Sequence, residues 1–138
     1  MTLSRSQHHA TAGYRPVSGG QLWVPHAATI RDIKREITGV RTYRLEFDNE
    51  KTAARFAFEA GQFNMLYLPG IGEAAISISS APGVGGPLEH TIRVAGNVTQ
   101  ALERMQPGDP LGVRGPFGSA WPVESLRGRD VVIACGGI

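Results

Sequence analysis

Four short stretches carry residue types that could handle a ligand. Ala74–Ser79 (AAISIS) alternates Ile76 and Ile78 with Ser77 and Ser79, so a strand here puts hydroxyls on one face and aliphatics on the other. Such a face can offer hydroxyl or backbone donors to a flat ligand; it equally suits a half-exposed strand whose serines meet water. Gly96–Leu102 (GNVTQAL) follows a strand-like segment. A glycine that admits close approach to the backbone, then Asn97, Val98 and Thr99 in the first turn of a helix, builds an anion site from amides, a hydroxyl and the helix dipole. The plainer alternative is a strand-to-helix turn with a threonine near its cap. Gly115–Gly118 (GPFG) holds Phe117 in a rigid turn and reads as structural. Finally, Asp130–Ile138 (DVVIACGGI) runs a short apolar segment into Gly136-Gly137, the way the first strand of a dinucleotide fold brings its chain to a phosphate. No Asp, Glu or His has the surroundings of a general acid or base, so no catalytic residue is expected from this chain.

The elements that must position these stretches are short and closely punctuated. Ala28–Thr38 is rich in Ile and Thr with mixed charges, which predicts a long strand near a sheet edge. In Val40–Asp48, Tyr43, Leu45 and Phe47 alternate with Thr42, Arg44 and Glu46, the pattern of a half-buried strand. Asn49–Ala60 reads as a loop or hairpin connection. Phe63–Leu68 is apolar on both faces and is expected to be central; Pro69-Gly70 stops it. Ala74–Ser79, His90–Ala95 and Leu111–Arg114 complete six strands, and Pro82–Pro87 is a glycine-rich loop. Between the fifth and sixth, Asn97–Met105 spaces Val98, Ala101, Leu102 and Met105 at i, i+3, i+4, i+7, a helix with one apolar stripe. A closed antiparallel barrel hides the edges of so many short strands, so the chain is expected to be all-β with one short helix.

Composition narrows the classes further. The length of 138 residues suits one core, and eighteen Gly and nine Pro placed singly suit a turn-rich β domain. A formal charge of +2 from dispersed Lys and Arg argues against a nucleic-acid surface. No apolar run reaches spanning length, and the N-terminus lacks a signal-peptide core, so no membrane span is expected and the cytoplasm is the default compartment. Cys135 is the only cysteine, which rules out an internal disulfide and a cysteine-ligated cluster or zinc site held by this chain alone. Residues 1–22 are polar and aperiodic and read as a disordered leader. His8-His9 within it reads as solvent-facing, and no metal site is expected.

Four segments in this order, GQFNMLYLPGIGEAAISIS (Gly61–Ser79), HTIRVAGNVTQAL (His90–Leu102), PGDPLGVRGPFG (Pro107–Gly118) and DVVIACGGI, resemble the ferredoxin-reductase-type FAD/NAD(P)-binding electron-transfer subunits. Members of that group include the gamma subunits of nickel–iron hydrogenases (sulfhydrogenases) and the electron-transfer subunits of anaerobic sulfite reductase and of dihydroorotate dehydrogenase. The resemblance covers about residues 27–138. It implies a six-stranded antiparallel Greek-key FAD-binding barrel of the riboflavin-synthase-like type over 23–128. Residues 129–138 would be a stub of the first strand of an α/β NAD-binding domain, truncated there.

By the same resemblance, FAD contacts fall on Ile76, Ser77, Ile78, Ser79, Ile92, Arg93, Gly96, Asn97, Val98 and Thr99, with Gly136 and Gly137 an incomplete NAD(P) loop. The group's flavin motif is Arg-x-Tyr-Ser. Ser77 takes the serine position near flavin N5 and Ile76 the aromatic position. Ala74 takes the arginine position, which removes a charge-assisted phosphate contact. The diphosphate would then rest on Gly96–Thr99, with Arg93 nearby. NAD(P) and a [2Fe-2S] centre are implied only for a full-length parent, whose partners would be the iron–sulfur and catalytic subunits of a redox complex. The chain alone is expected to hold FAD without turning over NAD(P)H. The alternatives are a flavin-free barrel acting as a binding or assembly module, or a barrel that takes free riboflavin or FMN.

Overall fold

The computed structural model describes residues 23–83 and 86–136. The expected leader at 1–22, and Gly137 of the expected dinucleotide loop, lie outside the described residues. Six strands are formed: β1 (His26–Ile37), β2 (Val40–Phe47), β3 (Phe63–Leu68), β4 (Gly72–Ser77), β5 (Leu88–Arg93) and β6 (Pro110–Phe117). They make one antiparallel sheet in the order β4-β3-β6-β1-β2-β5. Period-two burial fills its interior. Ile30, Leu66 and Val113 are wholly buried, joined by Tyr43, Leu45, Leu88, Ile92 and Leu111. Helix α2 (Asn97–Glu103) plugs the sheet with Ala101 and Leu102.

Three expectations are corrected. Asn49–Ala60 is not simply a loop, because α1 (Glu50–Arg55) forms within it. The Asn49 side chain caps it by accepting from the amides of Lys51 (2.9 Å) and Thr52 (3.2 Å). No residue of α1 is buried and only Ala53 packs against the core, so it has no apolar stripe to betray it. Strand β1, expected near a sheet edge, lies between β6 and β2. Only His26–Thr29 pair with β6, and the charged remainder runs beyond that neighbour, which gives the sequence its edge-like look. Asp130–Ala134 forms no strand, and Val131, Val132 and Ile133 are exposed. No neighbouring strand offers them a ladder among the described residues, and an apolar run by itself cannot supply one. No helix among the described residues is long and apolar enough to cross a membrane.

Candidate functional site

Strand β4 borders the sheet. One side pairs with β3 in the register Phe63↔Ser77, Asn64↔Ile76, Met65↔Ala75 and Leu66↔Ala74. Its other side has no ladder partner among the described residues. Every second residue of an antiparallel strand directs its N–H and C=O to each side, so β4 offers backbone groups to whatever approaches that edge. The sheet closes toward β5 through a few isolated bonds: the Ser79 amide donates to Glu89 O (2.9 Å) and the Glu89 amide to Ser80 Oγ (3.1 Å).

The register sorts the four residues 76–79. Ile76 pairs with buried Asn64, so it turns inward; it and Ile78 are half-buried against the core. Ser77 shares the outer face with Phe63, and Phe63 with Phe117, whose rings lie 5.8 Å apart. The Ser77 side chain is exposed, and its hydroxyl has no hydrogen-bond partner among the described residues. Ser79 differs, because its Oγ accepts from Thr91 Oγ1 at 3.1 Å. The Ile78 amide is committed to Gln62 O (3.0 Å).

At the other end of β4, α2 begins. A Cβ added to Gly72, the first residue of β4, would meet Val98 Cγ2 at 3.7 Å, so the first turn of α2 sits beside that end. Thr99 is buried and turned inward: its Oγ1 accepts from the amides of Ala95 and Gly96 (both 2.9 Å) and donates to Gly96 O (3.0 Å). The threonine thus acts as a cap, and the first-turn amides of Asn97, Val98 and Thr99 are those left without an intrahelical acceptor. The far end of α2 is tied down by Tyr43, whose hydroxyl donates to Leu102 O (3.0 Å), and by Arg41, which donates to Glu103 O (2.8 Å). A guanidinium there also suits the helix dipole. Gly96 itself is extended (φ −148°), and a Cβ placed on it would touch nothing within 4 Å. Arg93 is exposed with no ion pair among the described residues. Ile92 is 3 % exposed, so its side chain belongs to the core and only its backbone could face a ligand. Gly136 is exposed and remote in sequence from these elements.

Two polar residues behind this surface escape the sequence reading. Asn64 and His90 are both fully buried. His90 Nδ1 lies 2.9 Å from Ser77 O, and Nε2 lies 3.2 Å from Asn64 Nδ2. A carbonyl needs a donor and an amide NH₂ needs an acceptor, so the ring is neutral with its proton on Nδ1. Burial pushes its pKa down to about 4. The signal was available in strand parity. Asn64 alternates with Leu66 and Leu68, and His90 with Leu88 and Ile92, so both polar residues fall on inward positions.

The model of the oxidoreductase FAD-binding domain family matches residues 28–121. The chain belongs to that family. Among relatives of this FAD-binding-domain chain, sulfhydrogenase 1 subunit gamma of Pyrococcus furiosus is 39 % identical over 98 residues, covering 71 % of this chain and 34 % of the relative. A probable dihydroorotate dehydrogenase B (NAD(+)) electron transfer subunit of Thermoplasma acidophilum is 35 % identical over 108 residues, covering 78 % and 38 %. The chain therefore spans well under half the length of these curated relatives. The crystal structure of a ferredoxin NADP+ reductase from Neisseria gonorrhoeae with bound FAD and NADP superposes with a TM-score of 0.55 at 26 % identity, covering 67 % of this chain and 37 % of that one. This FAD-binding-domain barrel is thus a ferredoxin-reductase-type fold, in agreement with the resemblance carried by the four sequence segments.

Proposed function

We propose that the chain binds FAD along the free edge of β4, as the flavin half of an electron-transfer subunit. The isoalloxazine edge meets Ser77, and the diphosphate rests on the Gly96 turn. The observation that carries this reading is the pairing of an exposed, unpartnered Ser77 hydroxyl at one end of β4 with the open turn at the other. Ser77 lies five residue steps from Gly72, a span of about 16 Å at strand rise, which calls for an extended ligand with a polar ring at one end and an anion at the other. The residues fit such a group. Packing does not explain why position 96 lacks a side chain, whereas a phosphate against the backbone does.

Bound there, the flavin would supply reversible hydride and single-electron chemistry. Ser77 offers its hydroxyl to the ring near N5. Ile76 and Ile78 contribute apolar surface from the inner side, and the backbone of Ile92 adjoins it. The amides of Asn97, Val98 and Thr99 hold the diphosphate with Arg93, standing in for the cation that Ala74 cannot provide; Ser79 keeps the strand end tied to β5. In this reading a longer parent subunit carries the NAD(P) site that Gly136 and Gly137 begin, and a [2Fe-2S] centre. It passes electrons between NAD(P)H and the iron–sulfur and catalytic subunits of a cytoplasmic redox complex such as a hydrogenase.

The test is titration of the purified chain with FAD, followed by flavin fluorescence and absorbance, with the cofactor released from freshly purified protein identified by chromatography. FAD taken up in 1:1 ratio supports the reading. Preference for FMN or riboflavin, or no flavin binding at all, overturns it, and the last outcome leaves the assembly-module alternative. NADH added to the FAD-loaded chain should not bleach it, and rapid bleaching would refute the assignment of the nicotinamide site to a separate domain.

A further inference from the structure

We propose that His90 is a positioning residue for the flavin site: from inside the barrel its Nδ1–H holds the Ser77 carbonyl and thereby fixes how Ser77 is presented at the open edge of β4. This inference rests on the flavin reading above and adds a residue that contacts no ligand.

Ser77 is the last residue of β4, where strand pairing ends on one side and is absent on the other. The chain there is steered by three bonds. Ile78 N donates to Gln62 O (3.0 Å) on the β3 side, Ser79 N donates to Glu89 O (2.9 Å) on the β5 side, and His90 Nδ1 donates to Ser77 O (2.9 Å). Only the last acts on Ser77 itself from the β5 side. An imidazole here takes the place of the missing ladder bond. Being wholly buried, it has little freedom to do anything else.

The ring is in turn oriented. Asn64 Nδ2 donates to Nε2 at 3.2 Å, which selects the Nδ1–H tautomer. Asn64 is seated against Gly115: a Cβ on that glycine would collide with Asn64 Oδ1. Four strands therefore contribute in sequence, with Gly115 of β6, Asn64 of β3, His90 of β5 and Ser77 of β4. Asn64 Oδ1 is buried with no hydrogen-bond partner among the described residues. A polar pair with one atom left unsatisfied is a poor way to stabilise a core, since apolar residues of similar shape do that better. What the pair does provide is direction: one donor aimed at one carbonyl.

The test uses the full chain with His90→Phe, His90→Asn, Ser77→Ala and the Ser77→Ala/His90→Phe double variant. FAD dissociation constants, the visible circular dichroism of bound flavin and its midpoint potential are measured, with far-UV circular dichroism as the folding control. His90→Phe should weaken FAD binding about tenfold, roughly one hydrogen bond's worth, and shift both the dichroism and the potential. His90→Asn, which carries an amide donor near the position of Nδ1, should restore them. Ser77→Ala should cost much less in the His90→Phe background than alone, because both substitutions disable the same contact. Wild-type affinity, spectrum and potential in a folded His90→Phe chain overturn the proposal while leaving the flavin reading standing, as does full additivity with Ser77→Ala. If His90→Phe fails to fold, His90→Asn is compared with His90→Gln, whose donor lies nearer Nε2; equal behaviour of those two overturns it. A wild-type chain that binds no FAD overturns the flavin reading, and this inference with it.

Discussion

Lowering the pH should destabilise this chain through His90 before its carboxylates are all titrated. His90 is neutral in the folded state because burial pushes its pKa to about 4, against about 6.5 for an unconstrained histidine. A depressed pKa in the folded state means that the unfolded chain binds the proton first, so the contribution is complete above pH 6.5 and lost as the pH falls toward 4. A tenfold difference in proton affinity between the two states is worth about 1.4 kcal/mol, so the loss amounts to about 2 kcal/mol at pH 5 and about 3 kcal/mol by pH 4. For a domain whose total stability is of order 5–15 kcal/mol, that is a large fraction. Urea unfolding followed by far-UV circular dichroism at pH 7, 6 and 5 measures it. His90→Phe provides the reference, because carboxylate titration affects both chains and cancels in the difference. The wild-type chain should lose about 2 kcal/mol more than the variant between pH 7 and pH 5. Parallel stability profiles for the two chains over that range would refute the picture of a dry, neutral imidazole inside the barrel.

Gly96→Ala separates site from scaffold. The extended backbone accepts alanine and a Cβ there meets no atom within 4 Å, so stability should change by less than about 0.5 kcal/mol. FAD affinity in a fluorescence titration should nevertheless fall at least about tenfold, as the methyl occupies the phosphate's place. Gly115→Ala should instead cost stability, about 3 kcal/mol in thermal or chemical unfolding, because φ is +145° and the new methyl would collide with Asn64 Oδ1, and by displacing Asn64 it should weaken FAD binding as well. Tyr43→Phe removes one bond to Leu102 O, a carbonyl that still accepts from the Met105 amide at 3.0 Å, so the cost should be that of a single hydrogen bond, about 1 kcal/mol in urea unfolding; an unchanged denaturation midpoint would show that α2 is held by its other bonds and by packing.

Local pattern made some elements legible and not others. Strand β3 spans Phe63–Leu68 as the apolar run predicts, and the i, i+3, i+4 spacing of Val98, Ala101 and Leu102 places α2, though the helix ends at Glu103, short of Met105. The outward position of Ser77 followed from alternation alone. Strand β4 starts two residues before Ala74 because pairing with Leu68 carries it back to Gly72, and β6 extends through Phe117 because Phe63 continues the ladder. Those boundaries depend on a partner far away in sequence, which no window of residues contains. Strand order is also non-local: β6 lies between β3 and β1, and nothing in the PGDPLGVRGPFG segment specifies its neighbours. Thr99 shows a subtler limit. Its type and position suit a phosphate contact, yet its hydroxyl is spent on Ala95 and Gly96, so its contribution to an anion site is to shape the turn.

Edge chemistry also accounts for where the candidate site lies. A sheet with free edges leaves backbone donors and acceptors exposed, and natural proteins cover them with charge, bulges, another element or a ligand. Here β1 runs past β6 with Lys34, Arg35 and Glu36 along the overhang, which covers that edge with charge. The seam between β4 and β5 is treated differently. Ala74, Ala75 and Ile76 carry no charge, Gly72 and Gly96 leave the approach open, and the two strands are joined mainly at Ser77–Ser80. Beyond Glu73, whose carboxylate is paired with Arg114, this accessible strand edge with a fixed end is a hazard unless something occupies it, and a flat ligand with hydrogen-bonding edges does so without extending the sheet into another molecule. The seam therefore needs a fixed end more than it needs a tight one. A buried histidine holding a single carbonyl supplies that fixed end.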